Sequence, residues 1–352
     1  TAVVGQQGNV FIGNVIFNGK VFPDGMMYSM PGKPGVFPKF NFFDSPSSDG
    51  SPIMALAAFQ DTILQFKENA MYVINISNPA QFYAEASFRD CGVSNQCQVF
   101  TTAFGIIFAN KNGCFIYDGS KVISLTSGKF NVGDWALAES SSIYDDTADV
   151  PSVGYDPRSQ SIIVLKNIGH DTNSTAAWVY NMVTKSWTEG VTFIDNAAGD
   201  TGSNFQISPN GYLSLIHYDV DDPPEGPYTY NIGEADSNVQ TITYITKDID
   251  FGLPSQTKKI FKIYVTYLGN GSSVTVTYGA DGDTTPTQAM TNAENSGATL
   301  TNAGTTDHNV ATFTIDDHPA NVKSIMLKFT GSAVEDFEIN DISILYRLRP
   351  IK

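Results

Sequence analysis

A two-strand unit that recurs along the first two thirds of the chain constrains its fold most. Each copy has an apolar alternating run, a tight turn, and a second run rich in aromatic and β-branched residues. The copies are residues 63–76, 106–119, 153–167, 176–190 and 205–219. Asn112-Gly113 and Asn210-Gly211 stand at turn positions, and Asn-Gly is a strong hairpin signal because both residues tolerate positive φ. Since one hairpin cannot bury its apolar face alone, the repeats predict sheets packed side by side, as in a β-propeller.

The pattern changes after the Pro-rich, acidic stretch at 219–227, where longer and more regularly alternating strands begin. The chain has 352 residues, and single cores rarely grow past roughly 250 to 300 residues, so we expect two domains. We predict an all-β chain with a β-propeller-like domain over 1–235 and an antiparallel β-sandwich or jelly roll over 236–352. The hairpins are too few for a closed propeller, so we expect irregular blades or, as we favour, further strands before Thr1.

A Thr-, Ala- and Asn-rich segment at 280–308 interrupts the second domain. It has no hydrophobic periodicity and few apolar residues to bury. We therefore expect an exposed, mobile loop there.

The charge balance is strongly acidic, with 36 Asp and Glu against 20 Lys and Arg and a net charge of −16. No Lys or Arg run is present, so tight binding to nucleic acid or to an anionic membrane is disfavoured. No apolar stretch reaches the roughly 18 residues that a membrane-spanning helix needs. The three cysteines, at positions 91, 97 and 114, form no C-x-x-C pair and indicate no disulfide framework.

Motifs for nucleophilic, nucleotide and metal chemistry are missing from the sequence. The histidines lack zinc-ligand spacing, and Asp316 and Asp317 beside one of them suit a turn. The histidines are His170, His217, His308 and His318. The acidic stretch offers oxygen atoms to Ca²⁺ but lacks EF-hand spacing, so a stiff, solvated linker is the favoured interpretation. Its acids are Asp219, Asp221, Asp222 and Glu225. We predict no catalytic, cofactor-binding or metal-binding residue.

A glycosidase is the main enzymatic alternative, because two carboxylates suffice for glycoside hydrolysis. Asp145, Asp156 and Asp248 are candidates, although any chain this acidic offers pairs. Trp135, Trp178 and Trp187 are candidates for stacking on sugars, although aromatic residues on strands of propeller blades are more often core. The sequence contains only four arginines, which argues against a sialidase-like site.

Several stretches resemble the tail proteins of short-tailed bacteriophages, the tubular nozzle or hub family. The stretches are YSMPGKPGVFPKF (28–40), PIMALAAFQDTILQFKENAMYVINIS (52–77), FRDCGVS (88–94), GIIFANKNGCFIYDGSKVISLT (105–126), TYITKDIDFGLPSQTKKIFKIYVTYLG (243–269) and FEINDISILYRLR (337–349). Nozzles of that family are commonly longer than this chain, which leaves its position in the tail open.

The resemblance implies a non-enzymatic structural protein located in the virion tail. It implies a six-fold ring of copies that contact adaptor and fibre proteins around a channel. The DNA genome would leave through that channel without sequence-specific binding, past a wall that we expect to be rich in Asp and Glu. The alternatives from the residues alone are a carbohydrate-active propeller with an accessory sandwich and a non-catalytic glycan-binding module.

Overall fold

The computed structural model describes residues 2–5, 8–44, 50–79, 81–130, 133–135, 137, 151–166, 174–195, 201–202, 204–218, 228–231, 240–283, 285–304, 307–315, 320–333 and 337–350. These residues form strands, turns and one 3-10 turn at Gln96–Gln98. The chain divides into two compact units, which we call unit 1 (Thr1–Glu234) and unit 2 (Ala235–Lys352). No helix in the described part of the chain has the length and apolar character to cross a membrane.

In the part of unit 1 that the structure describes, five four-stranded antiparallel sheets follow one another along the chain. The first contains β1 (Ala2–Val4), β2 (Val10–Phe17), β3 (Lys20–Tyr28) and β4 (Phe42–Asp44). The second contains β5 (Ala55–Phe59), β6 (Thr62–Phe66), β7 (Ala70–Asn75) and β8 (Tyr83–Arg89). The third contains β9 (Val99–Thr102), β10 (Gly105–Asn110), β11 (Gly113–Tyr117) and β12 (Val122–Ser124).

The fourth sheet contains β13 (Ser152–Asp156), β14 (Ser161–Leu165), β15 (Ser174–Asn181) and β16 (Ser186–Asp195). The fifth contains β17 (Thr201–Gly202), β18 (Gln206–Ile207), β19 (Leu213–Tyr218) and β20 (Tyr228–Asn231). In the first four sheets each strand pairs with the next one, whereas in the fifth both β17 and β18 pair with β19. The first strands of the first four sheets contact one another in chain order. Unit 1 is therefore a β-propeller-like domain with one irregular sheet.

The hairpin count missed the first sheet, and the expected irregularity is found in the fifth sheet. The β2–β3 hairpin of the first sheet turns at Asn18-Gly19, where both residues have positive φ, 49° and 74°. This is the same Asn-Gly signal that marks the later turns. Residues 2–44 supply four strands that the sequence pattern had left unassigned.

Unit 2 is a sandwich of two antiparallel sheets. One sheet has the order β21 (Gln240–Ile245), β28 (Ile325–Ala333), β23 (Val274–Ala280) and β24 (Gln288–Ala289). The other is built on β22 (Lys258–Leu268), which pairs with β29 (Glu338–Leu348) and also with β26 (Asn309–Thr314) and β27 (Ala320–Val322). A short strand, β25 (Thr291–Asn292), pairs with β26. Alternate residues of β22, β23 and β28 are buried in one continuous apolar core, as half-buried strands require.

The prediction of an exposed loop at 280–308 was wrong. This segment contains β24 and β25, and it buries Met290 and Leu300 in the core of unit 2. The Asn292 side chain is also buried and donates to the Thr299 carbonyl over 2.9 Å. Isolated apolar anchors and side-chain bonds to the backbone order the segment, and neither produces a periodic pattern.

Candidate functional site

The link between the second and third sheets, residues 90–98, is held by many hydrogen bonds, and we call it the junction segment. Its backbone binds to the turn between β6 and β7: the Asp90 N–H donates to Asn69 over 2.9 Å, and the Val93 N–H donates to Lys67 over 2.9 Å. A Cβ added to Gly92 would lie 2.3 Å from the Lys67 carbonyl oxygen. The segment therefore needs glycine at position 92 for its close approach to the second sheet.

The third sheet binds the junction segment from the other side. The Asn110 side-chain amide donates to the carbonyls of Asp90 and Gly92, at 3.1 and 2.7 Å. The Asn112 amide also donates to the Asp90 carbonyl, at 3.1 Å. Asn110 is the last residue of β10, so its position beside the junction is fixed by the β10–β11 hairpin.

Two glutamines complete this network. The Gln98 side-chain oxygen is fully buried and accepts from the Ser94 N–H, the Ser94 hydroxyl and the Asn95 N–H at 2.7–2.8 Å. Its amide donates to the Ala109 carbonyl on β10 over 3.0 Å. Gln96 exchanges two bonds with the backbone of Leu56 on β5. Together they connect the first strand of the second sheet to the third sheet through side chains.

Cys97 extends the network to the fourth sheet. Its thiol lies 3.4 Å from the Pro151 carbonyl, and the Ser152 hydroxyl donates to the Cys97 carbonyl over 3.4 Å. Burial raises the pKa of the Cys97 thiol to about 12. Burial also raises the pKa of the Cys114 thiol and, with the charge of Asp90, that of Cys91. All three cysteines are unpaired and buried, so their role is packing rather than nucleophilic chemistry.

The role of the junction segment in joining the sheets was not predicted from the sequence. Asn95 and Gln98 form a reciprocal capping box around the 3-10 turn, and the Asn-x-x-Gln spacing of that motif is visible in the sequence. The bonds from Asn110 and to Pro151 join residues that no local pattern connects.

The three tryptophans lie together at the boundary of the third and fourth sheets. The Phe130 ring contacts all three edge-on, with centroids 4.9–5.5 Å apart, and Trp135 stacks on Trp178 at 6.3 Å. The Lys166 ammonium covers the Trp178 ring at 4.4 Å and forms an ion pair with Glu189. All three indoles are half-buried against the core.

The indole N–H groups of two tryptophans also serve the packing. Trp135 donates to the Asn110 carbonyl over 2.8 Å, and Trp187 donates to the Leu125 carbonyl over 3.0 Å. The Trp178 N–H is buried without a partner in the described structure. The described contacts of the three indoles are with rings, a lysine and backbone carbonyls of the protein, which favours a packing role over stacking on sugars.

The two candidate glycosidase carboxylates that the structure describes are each engaged by neighbouring backbone N–H or hydroxyl groups. Asp156 is buried in unit 1, where it accepts from the Arg158 N–H and from the N–H and hydroxyl of Ser159. Asp248 is in unit 2 and accepts from the Ser324 hydroxyl over 2.6 Å. Asp145 lies outside the described residues. Asp156 and Asp248 therefore act as anchors for turns and loops.

Unit 2 has an open cavity of about 430 Å³ beside Asp248, Asp250 and Asp281, with Lys323 at its wall. The Asp281 carboxylate accepts from the Lys323 N–H over 2.5 Å, and Asp250 accepts from the Gly252 N–H over 2.9 Å. The buried Lys258 ammonium donates to the carbonyls of residues 253 and 323, each at 2.6 Å. These bonds hold the surrounding loops together, and each of the three aspartates beside the cavity accepts at least one hydrogen bond.

Most of the residues weighed as metal ligands fall outside the described residues. The acidic stretch at 219–225, His170 and the 316–318 step all lie there, and His217 is on β19. His308 is exposed. Within the ranges that the structure describes, no group of three or more His, Cys, Asp or Glu side chains has metal-binding geometry.

Comparison with known proteins finds similarity in solved structures alone. No protein-family model and no curated protein sequence matches the chain. A protein from Lactobacillus plantarum is similar over 93% of this chain and 86% of its own, with 11% identity and a TM-score of 0.40. The extracellular domain of a putative hybrid two component system from B. thetaiotaomicron is similar over 78% of this chain and 43% of its own, with 12% identity and a TM-score of 0.35.

An exo-beta-1,3-galactanase from Phanerochaete chrysosporium, solved with galactose, is similar over 93% of this chain and 80% of its own. Its identity is 10% and its TM-score 0.26. At these scores the likeness carries no argument about what this chain binds or does.

Proposed function

We propose that this chain is a structural subunit of the tail of a short-tailed bacteriophage, one of a ring of about six copies around the channel through which DNA leaves. In this role the fold is a non-enzymatic scaffold, and function resides in the surfaces that contact neighbouring subunits, adaptor and fibres. The proposal rests first on the resemblance in sequence.

The observation that carries the proposal is that three of the resembling stretches meet at one place in the structure. The phrase at 52–77 supplies Lys67, the phrase at 88–94 supplies Gly92, and the phrase at 105–126 supplies Asn110. Gly92 lies against the Lys67 carbonyl and accepts a hydrogen bond from the Asn110 side chain. Resembling stretches that are separate in the sequence therefore meet at one structural feature. This supports a shared architecture over a chance similarity between strands.

The charge of the chain also supports a channel wall. The net charge is −16, and each phosphate neutralised by Lys or Arg strengthens binding to DNA. A wall that lets DNA slide must avoid such contacts. We therefore place Asp and Glu at the channel surface, and a structure of the assembly with a lysine-lined bore would contradict this placement.

The test is the mass of the native assembly, measured by native mass spectrometry on the purified chain and on particles isolated with it. A ring of about six copies, or a chain found in purified virion tails, supports the proposal. A chain that stays out of every virion overturns it.

The alternative, a glycan-active or glycan-binding propeller, predicts a different result in the same preparation. The monomer would then bind an oligosaccharide in a sugar screen, and Trp178→Ala would abolish that binding. A matched Val183→Ala variant, which truncates a side chain that is 70% exposed, would leave it intact.

A further inference from the structure

The last strand of unit 2, β29, has an open edge. It pairs with β22 along its full length, Glu338–Leu348, and no described strand pairs with its other edge. Such an edge presents unpaired backbone N–H and C=O groups, and proteins usually shorten, charge or cover it. Here the strand has 11 residues, which is long for an uncovered edge.

The solvent-facing row of β29 carries opposite charges at its two ends. The row contains Asp341, Ser343, Leu345 and Arg347, all exposed. The other row, with Ile342, Ile344 and Tyr346, packs against the core. The acidic end also includes Glu338, and the basic end includes Arg349, so two of the four arginines of an acidic chain lie at one end of one strand.

A strand with this charge pattern is complementary to itself in the antiparallel direction. Reversing a second copy about Ile344 places Asp341 opposite Arg347 twice, and opposite charges directly across a strand pair are stabilising. The same register sets Ile344 against its own copy and Ile342 against Tyr346, which continues the apolar row. A shift by one residue would place core-facing side chains opposite solvent-facing ones, so it is excluded.

We propose that β29 is an interface at which two copies of this chain pair edge to edge, antiparallel, about a two-fold axis through Ile344. The Arg349 guanidinium already donates to Asn321 over 3.1 Å, which leaves Arg347 as the basic partner of Asp341. The Asp341 carboxylate accepts from the Ser343 hydroxyl and is otherwise exposed.

This pairing goes beyond the tail function proposed above and is independent of it. In a ring whose copies all point the same way, neighbours are related by rotation about the ring axis, and a two-fold contact does not form between them. The paired state therefore belongs to chains outside such a ring. It covers the edge of β29 that would otherwise recruit other strands.

The test is sedimentation velocity of the full chain over a range of concentrations, with a charge-swap series at β29. Asp341→Arg and Arg347→Asp each place like charges opposite one another, and each should weaken dimerisation at least tenfold. The double variant exchanges the two charges and should restore it. Lys262→Glu, on the solvent-facing side of β22, changes the net charge as much as Arg347→Asp and should leave the dimer intact.

Three results would overturn the proposal: a monomer at every concentration, a dimer that neither single variant weakens, or a double variant that stays monomeric while folded by circular dichroism. A ring that forms equally well in all variants, with no dimer at any concentration, would support the tail function and reject the β29 dimer. The two proposals can therefore fail separately.

Discussion

Unit 1 and unit 2 are both built from antiparallel sheets, yet their sheets are joined by different interactions. In unit 2 two sheets enclose one continuous apolar core with Tyr267, Phe313 and Phe329 fully buried. In unit 1 the apolar contacts are divided among four clusters. Side-chain amides of the junction segment and β10 connect neighbouring sheets there. An apolar core tolerates changes in side-chain shape, whereas a buried amide needs every hydrogen-bond partner in place. The stability of the two units should therefore respond differently to the same kind of substitution.

The largest effect is expected in the core of unit 2. Phe329→Ala removes a fully buried ring and should destabilise unit 2 by about 3–5 kcal/mol, because the cavity adds to the lost transfer free energy. Urea unfolding followed by circular dichroism measures this change. Phe40→Ala makes the same substitution at a ring that is 89% exposed and should change stability by less than about 0.5 kcal/mol. Equal effects for the two variants would contradict the single-core description.

The next effect is expected at the junction of unit 1. Gly92→Ala forces a Cβ against the Lys67 carbonyl, and overpacking against backbone should cost about 3 kcal/mol. Gly35→Ala is the matched control, since a Cβ there meets nothing within 4 Å and its φ is not positive. Limited proteolysis should cut Gly92→Ala within unit 1 while unit 2 stays intact. Cleavage of both units together would show that they unfold as one.

A smaller loss is expected from the buried amide. Gln98→Ala leaves the N–H groups of Ser94 and Asn95 and the Ala109 carbonyl without their partner, which should cost about 2 kcal/mol. Hydrogen exchange should show the fastest gain at Ser94 and Asn95. Gln206→Ala, at an exposed position of β18, is the control and should be neutral. Unchanged hydrogen exchange at the junction segment would show that the Gln98 side chain does not stabilise it.

Local signals predicted much of the fold, and distant contacts account for what they missed. The hairpin at 106–119 was predicted from Asn112-Gly113, and the structure has it, although its two loop residues are Lys111 and Asn112 and Gly113 begins β11. The bond from Gln98 to the Ala109 carbonyl could not be predicted, because the packing of the sheets, and not the local sequence, brings the two groups together. The same holds for Asp156 and Asp248, whose chemistry suggested acid–base roles. Their hydrogen-bond donors, which come from the turn after β13 and from Ser324, show that they anchor local structure.

The smallest effect concerns pH and applies to unit 1. The pKa of Cys97 is raised from its ordinary value of 9.0 to about 12 by burial, so the folded state favours the neutral thiol. This contribution is fully present below pH 9 and is lost as the pH rises toward 12, because the unfolded chain releases its proton first. Stability should therefore fall by up to about 1.4 kcal/mol per pH unit above pH 9.

Cys97→Ala should reduce that slope, with urea unfolding at pH 8 and pH 10 as the measurement. Cys91→Ala is the comparison, since the Cys91 thiol is less deeply buried and its variant should flatten the slope less. A slope that is identical in both variants would assign the pH dependence to other groups.

The junction segment also bears on the order in which the chain can mature during synthesis. Domains fold as the ribosome releases them from the N-terminus onward. The second sheet is complete in sequence at Arg89, but the groups that bind the junction segment after it, Asn110 and Pro151, are translated later. The bonds that fix this connection can therefore form only after β10 and the start of the fourth sheet have been translated.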